Sequence, residues 1–301
     1  MSAPVVVLAG GTGGAKLARG MLDVVGSDLV VIANTGDDLE AYGGYVSPDP
    51  DLVTFWLADR VDERGWGLHG DTFRVMEALR ELGEDVWFNL GDQDLACCLA
   101  RARRLASGAS LTEAADALRH AFGVGCRVLP MCDEPVRTWI RARGEWSDLQ
   151  SWLIRGRASG PVEAVEFRGS DEATPTAAVL EALASARAVI VGPSNPVISI
   201  GPILAVAGEA LRSCPAPVVA VSPLVRGQSV KGPTEEFLRW AGQPLSSDGI
   251  AAHFDGLLDG LVADERTDAL PTLETDVAMP DAAGRRRVAQ EALDFALALG
   301  G

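Results

Sequence analysis

Lysine is almost missing from this sequence. Lys and Arg together number 26 in 301 residues, yet the only lysines are Lys16 and Lys231. Both fall in glycine-bearing segments, so each invites a chemical explanation. Positive charge as a whole is short: 42 Asp and Glu leave a net charge of -16 and an isoelectric point near 4.6. Such a field repels polyanions, which argues against nucleic acid or an anionic membrane as partner. A small phosphorylated ligand is still admitted where local donors or a cation receive it. Cysteine is sparse and odd in number, five residues with no C-x-x-C pair, which points to reduced, structural thiols in a cytoplasmic protein. No apolar run reaches the length of a bilayer. The first apolar stretch follows no charged region, so it reads as a first strand rather than a targeting segment.

What is present is a large apolar fraction, 48%, enough for one sizeable core. Val5–Ala9 is continuously apolar and β-branched, as expected of a parallel strand buried on both faces. A helical spacing over Lys16–Val25 and a second buried strand at Leu29–Ala33 complete a strand, glycine turn, helix and strand. Helices are predicted at Leu52–Asp59, Thr72–Leu82, Asp94–Ser107, Leu111–Phe122, Thr176–Ala186 and Ala283–Leu299. Strands are predicted in "VWFNLGDQD", at Arg127–Pro130, in a hairpin over Thr138–Glu145, at Glu163–Phe167, in "RAVIVGPSNP" and in "APVVAVSPLVRG". This pattern predicts an α/β fold, a Rossmann-like doubly wound and mainly parallel sheet. A smaller helical and hairpin subdomain within about 135–175 belongs to one domain spanning 1–301. In such sheets ligands sit beyond the carboxyl ends of the strands, so the polar loops there should converge.

"GGTGGAK", Gly10 to Lys16, offers amides at a helix start and room for an anion, or else is only a tight turn. Its spacing fits neither a P-loop nor a clean dinucleotide fingerprint. "NTGDD" and "SPDPD" place acids at 37, 38, 49 and 51 after one strand; such crowding is costly without a cation, and hard oxygens suit Mg²⁺. Asp37 and Asp51 are the candidate ligands, and Asp49 the candidate helix cap. In "LGDQD", Asp92 is placed to orient a hydroxyl and Asp94 to cap the next helix, with capping alone an equal alternative for both. His69 is read as a loop residue, and His120 and His253 as structural. "GPSNP" sets Ser194 and Asn195 between prolines in a rigid turn suited to nucleotide or phosphate. "VSPLVRGQSVKGP" adds Arg226, Ser229 and Lys231.

Taken in order, "AGGTGGAK", "ANTGDD", "SPDPDLVTFWLAD", "WGLHGDTF", "LGDQDLA", "LPMCDEPVRTWI", "GPSNPVISIGPIL" and "VSPLVRGQSVKGP" resemble one family over about residues 5–255. It is the family of 2-phospho-L-lactate transferases and their phosphoenolpyruvate-transferring counterparts. The resemblance implies a Mg²⁺-dependent step in making coenzyme F420. A phosphoenolpyruvyl or 2-phospho-L-lactyl group passes from a guanosine diphosphate-activated donor to the ribityl hydroxyl of the deazaflavin Fo, and GMP is released. It further implies a homodimer. By likeness, Asp51 contacts Fo and metal, and Asp37 is its metal-side companion. Gly10, Gly11, Thr12, Gly13, Gly14, Lys16, Asn34, Asn89, Asp92, Ser194, Asn195, Ser222 and Lys231 are the further substrate contacts. Asn89 departs from the family, where many relatives carry a basic residue, and "PMCDE" replaces the more usual "PMSDD". Two rivals are open from the residues alone: a non-catalytic nucleotide-sugar-binding regulator of the gluconeogenesis-factor type, and an NAD(P) oxidoreductase. The latter expects an acid where Asn34 stands.

Overall fold

A computed structural model describes residues 3–230 and 232–301. β1 (Val5–Ala9) leads into α1 (Gly11–Val25) and then β2 (Leu29–Ala33). A short hairpin, β3 (Leu39–Ala41) and β4 (Gly44–Val46), precedes α2 (Pro48–Leu57). Helices α3 (Arg74–Glu81), α4 (Asp92–Ala106) and α5 (Leu111–Ala121) run on to β5 (Arg127–Pro130). β6 (Arg137–Ala142), β7 (Glu145–Asp148) and β8 (Val162–Arg168) form a small antiparallel sheet. Then come α6 (Ala177–Ala184), β9 (Ala188–Val191), α7 (Gly201–Arg212) and β10 (Val218–Val221). β11 (Leu224–Val225) and β12 (Gln228–Ser229) pair before α8 (Thr234–Trp240) and α9 (Ser247–His253). β13 (Gly260–Ala263), β14 (Thr272–Glu274) and α10 (Ala282–Leu299) follow. None of the described helices is long and apolar enough to cross a membrane.

Seven strands form one parallel sheet in the order β14-β13-β10-β9-β1-β2-β5. β1 is fully buried along its length because helices cover both faces, which is why its sequence is apolar without alternation. Val5, Val7 and Ala9 join a core with α1, α2 and α10. Val6 and Leu8 face the opposite core, where α6, α7 and α9 pack. Each fully buried Val or Leu of this kind contributes about 1.5–3 kcal/mol before entropy is counted. The chain builds outward from β1 in one direction through β2 and β5, then returns to the other side through β9, β10, β13 and β14. The order reverses between β1 and β9, and that is where an open α/β sheet leaves a crevice.

Three sequence expectations change here. α1 begins at Gly11, five residues before the predicted Lys16, so most of the glycine run is its first turn. "VWFNLGDQD" is not a strand: no strand occurs between α3 and α4, and Val86 and Phe88 instead pack on a side cluster with Val46, Met76, Leu90 and Leu95. Its alternation of apolar residues served that local cluster, and the Phe88 N–H donates to the Tyr42 hydroxyl at 3.0 Å. α2 begins at Pro48, four residues earlier than predicted, because proline is accommodated in a first helical turn, where N–H groups have no intrahelical partner. Asp49 and Asp51 are consequently inside that turn rather than ahead of it.

Candidate active site

The turns after β1 and β9 meet at the reversal point. Gly10 is the extended N-cap of α1 and carries no side chain to cap it. Gly11 takes φ +62, a conformation glycine adopts at little cost. Gly13 answers a different need: a Cβ there would collide with the Pro193 carbonyl oxygen. The glycine run therefore lets the two turns touch, and the Gly10 N–H donates to Ser194 Oγ at 3.3 Å. Asn195 closes its own turn, its Oδ1 accepting from the Val197 and Ile198 N–H groups at 3.0 and 3.2 Å.

Beyond these turns lies a cleft of about 560 Å³. Gly10, Gly11, Thr12, Gly13, Lys16, Asp37, Ser194, Asn195 and Ser222 all line it, so most of the sequence-predicted contacts come together. Lys16 Nζ donates to the Met279 carbonyl at 3.3 Å and stands 5.8 Å from the Trp56 ring centroid. Gly14 and Asn34 lie just behind the wall, and Asn89, Asp92, Arg226 and Asp51 are not part of the lining. Gly14 is buried against Ser194 Oγ, where a Cβ would sit 2.6 Å away. Asn34 is a buried organiser. Asn89 is exposed, and its Oδ1 accepts from Arg80 at 2.8 Å. Asp92 accepts from the Val75 N–H at 3.0 Å and the Thr72 hydroxyl at 2.5 Å, so its carboxylate holds the start of α3. Asp71 reciprocates, accepting from the Gln93 and Asp94 N–H groups at the start of α4. Arg226 is exposed and its N–H donates to Asp264. Lys231 lies outside the described residues.

The acids divide into two groups. Asp37 lines the cleft together with Asp49, which the sequence marked only as a helix cap. Asp49 does cap a helix, but a distant one: its Oδ1 accepts from the Gly11 N–H of α1 at 2.5 Å. Asn34 Nδ2 bridges the pair, donating to Asp49 Oδ2 at 2.9 Å and to Asp37 Oδ1 at 3.5 Å. Gln150 Nε2 reaches in from just beyond β7 to Asp37 Oδ2 at 3.0 Å. Burial pushes the Asp37 carboxyl well above its usual range, and the neighbouring Asp49 and Asp38 charges push it further. Asp49 is pushed up to about 6 by burial, against the Asn34 and Gly11 donors. Asp38, behind the cleft, is pushed up to about 7 by burial, and Ser47 donates to it at 2.8 Å.

Asp51 forms the second group. It is 4% exposed, is absent from the cleft lining, and is ion-paired with Arg101 rather than set beside Asp37. Burial raises its pKa and the Arg101 charge pulls it back. Asp51, Asp94 and Cys98 hold ligating atoms within 4.8 Å of one another, and Asp94 is pushed up to about 7 by burial and the Asp51 charge. The cleft's remaining wall, Val277 to Pro280 between β14 and α10, and Thr234 on α8, was not marked in the sequence. Nothing local distinguishes those residues, because only the tertiary fold brings them to the glycine turn.

A parallel sheet whose two switch-point turns share a cleft with carboxylates defines a Rossmann-like α/β protein with a cleft at the strand-order reversal. The chain matches the family described as "2-phospho-L-lactate transferase CofD" over residues 5–293, and it belongs to that family. It is 38% identical over 298 residues to a Kitasatospora aureofaciens protein named phosphoenolpyruvate transferase, across 91% of this chain and 93% of that one. It is 37% identical over 263 residues to a Methanosarcina mazei protein named 2-phospho-L-lactate transferase, across 87% of each. A crystal structure of a Bacillus halodurans protein shares the fold, with a TM-score of 0.65 at 18% identity over 97% of this chain and 100% of that chain. The family makes this chain a transferase of coenzyme F420 biosynthesis.

Proposed function

We propose that this transferase moves a phosphoenolpyruvyl group from a guanosine diphosphate-activated donor to the primary ribityl hydroxyl of the deazaflavin Fo, releasing GMP. The 2-phospho-L-lactyl donor is the alternative substrate. The observation that carries the reading is the meeting of the glycine turn and the Pro193–Pro196 turn at the strand-order reversal, with Lys16, Asp37 and Asp49 on the same wall.

In this reading the open end of the glycine turn and Ser194 receive the donor diphosphate, where missing side chains let an anion come close to the first turn of α1. Lys16 adds one positive charge at the same wall. The ribityl oxygen forms a bond to the phosphorus bearing the enolpyruvyl group as the bond from that phosphorus to the GMP oxygen breaks. GMP leaves with the electron pair, and the hydroxyl proton passes to a nearby base or to solvent. Such transfers depend mostly on positioning and charge neutralisation, so no nucleophilic side chain is required.

A divalent cation fits the donor set. Asp51 Oδ2 and Asp38 Oδ2 are buried without a hydrogen-bond partner among the described residues, and Asp37 and Asp49 crowd like charge on one wall. Asp51, whose carboxylate lies beside Asp94, would hold Mg²⁺, which when bound supplies positive charge to the phosphates, and Asp37 and Asp49 would supply the negative wall that draws the ion in. Mass spectrometry of the product made from Fo and each activated donor tests the reading. The expected product is the enolpyruvyl form with one GMP per transfer, and no GMP with either donor would end it.

A further inference from the structure

The helix α4 carries Asp94, Cys98 and Arg101 at positions i, i+4 and i+7, which fall on one helical face. Asp51 in the first turn of α2 meets that face, with its carboxylate close to Asp94 and Cys98. Arg101 is only 2% exposed. One guanidinium nitrogen, Nη2, donates to Asp51 Oδ1, and the other, Nη1, donates to the Tyr45 carbonyl at 2.7 Å. The guanidinium is thus fixed at two points, one on the β4 backbone and one on the acid.

An ion pair buried this deeply is a poor source of stability, because desolvating two charges offsets most of their attraction and an apolar pair of equal volume would serve as well. Orientation is what the pair does supply. The fork occupies one oxygen of Asp51, while the second, Oδ2, is buried and unpartnered among the described residues. A carboxylate held in this way is aimed, and has one oxygen to offer.

We propose that Arg101 is the positioning residue of Asp51, fixing that carboxylate so that Oδ2 is presented to the cation of the transfer reaction. This rests on the function proposed above. Groups that orient a ligating carboxylate change metal affinity or activity by about 10- to 100-fold when removed.

The test uses Arg101→Lys, which keeps the charge and loses the planar fork. Mn²⁺ alone serves as the probe, titrated without substrates, alongside kcat, both KM values and thermal melting. The expected result is a folded protein whose Mn²⁺ affinity and kcat each fall about 10- to 100-fold, with KM for the guanosine donor changed less than about threefold. Wild-type Mn²⁺ affinity and kcat in folded Arg101→Lys would overturn the proposal, as would a loss of activity matching only the unfolded fraction. A second pair of variants covers a folding failure. Asp51→Asn and Asp51→Asn/Arg101→Met are compared for Mn²⁺ affinity, the double variant having no unpaired buried charge. Equal affinities support action through Asp51, and a further loss in the double variant sinks it. Asp51→Asn with normal turnover would sink this inference and leave the transfer reaction standing, whereas no GMP from the parent enzyme with either donor would sink the function on which it rests.

Discussion

The two groups of acids are wired differently. Among the described residues the hydrogen bonds to Asp37 and Asp49 come from neutral donors, Asn34, Gln150 and the Gly11 N–H, and both acids line the cleft. Asp51 receives a buried guanidinium and is withdrawn from that lining. Neutral donors satisfy oxygens without cancelling charge, so negative charge on the cleft wall favours taking up a proton or an incoming cation. The guanidinium cancels its acid and leaves direction. The outer acids therefore govern the charge of the site, and the inner acid governs its geometry.

The sharpest way to break that contrast is to neutralise one acid from each group. Asp51→Asn is expected to weaken Mg²⁺ binding and, because an aimed oxygen is lost, to leave GMP release about 10- to 100-fold low even at saturating Mg²⁺. Asp37→Asn is expected to raise the Mg²⁺ needed for half-maximal rate by about 10-fold, with much of the rate recovered at saturation. Identical responses to Mg²⁺ would erase the distinction. A smaller effect is expected from Lys16→Met, which removes one cation from the cleft wall. KM for the guanosine donor should rise by about 10-fold while KM for Fo holds steady. Equal rises would remove Lys16 from the donor side.

The smallest effect concerns stability. The buried Asp38 carboxyl is pushed up to about 7, so without divalent cations the folded chain retains a proton that the unfolded chain releases above about 4. Its contribution to stability therefore falls as pH rises from about 4 to about 7. Asp38→Asn removes that slope, and the variant should gain on the parent protein in denaturant melts across this interval. A constant difference between the two at every pH would show that Asp38 does not hold the proton.

Much of this architecture was legible because parallel strands buried on both faces read as unbroken apolar runs. Val5–Ala9, Leu29–Ala33 and the strands beginning at Ala188 and Val218 were visible for that reason. β13 and β14 were missed: "GLVA" and "TLE" are too short to carry a pattern, and β14 is a partly exposed edge. The apolar residues around Phe88 imitated a strand while serving a local cluster. At the site, the glycine turn, Asp37, Ser194 and Ser222 were legible from their strand-end positions. Asp49 was not, because in the linear sequence it stands beside two prolines at a helix start, whereas its partner Gly11 is 38 residues away. Gln150 lies 113 residues from Asp37 and carries no local signal of that contact.

One consequence follows from the Gly10–Ser194 contact, whose partners are 184 residues apart. β1 is an interior strand, and one of its two neighbours, β9, is made only after more than half of the polypeptide has left the ribosome. Until then β1 presents a bare apolar edge, a template for misassociation during synthesis. Assembly of the cleft is thus a late acquisition of the nascent chain. A truncated product ending before Ala188 would lack one of the two turns that meet there.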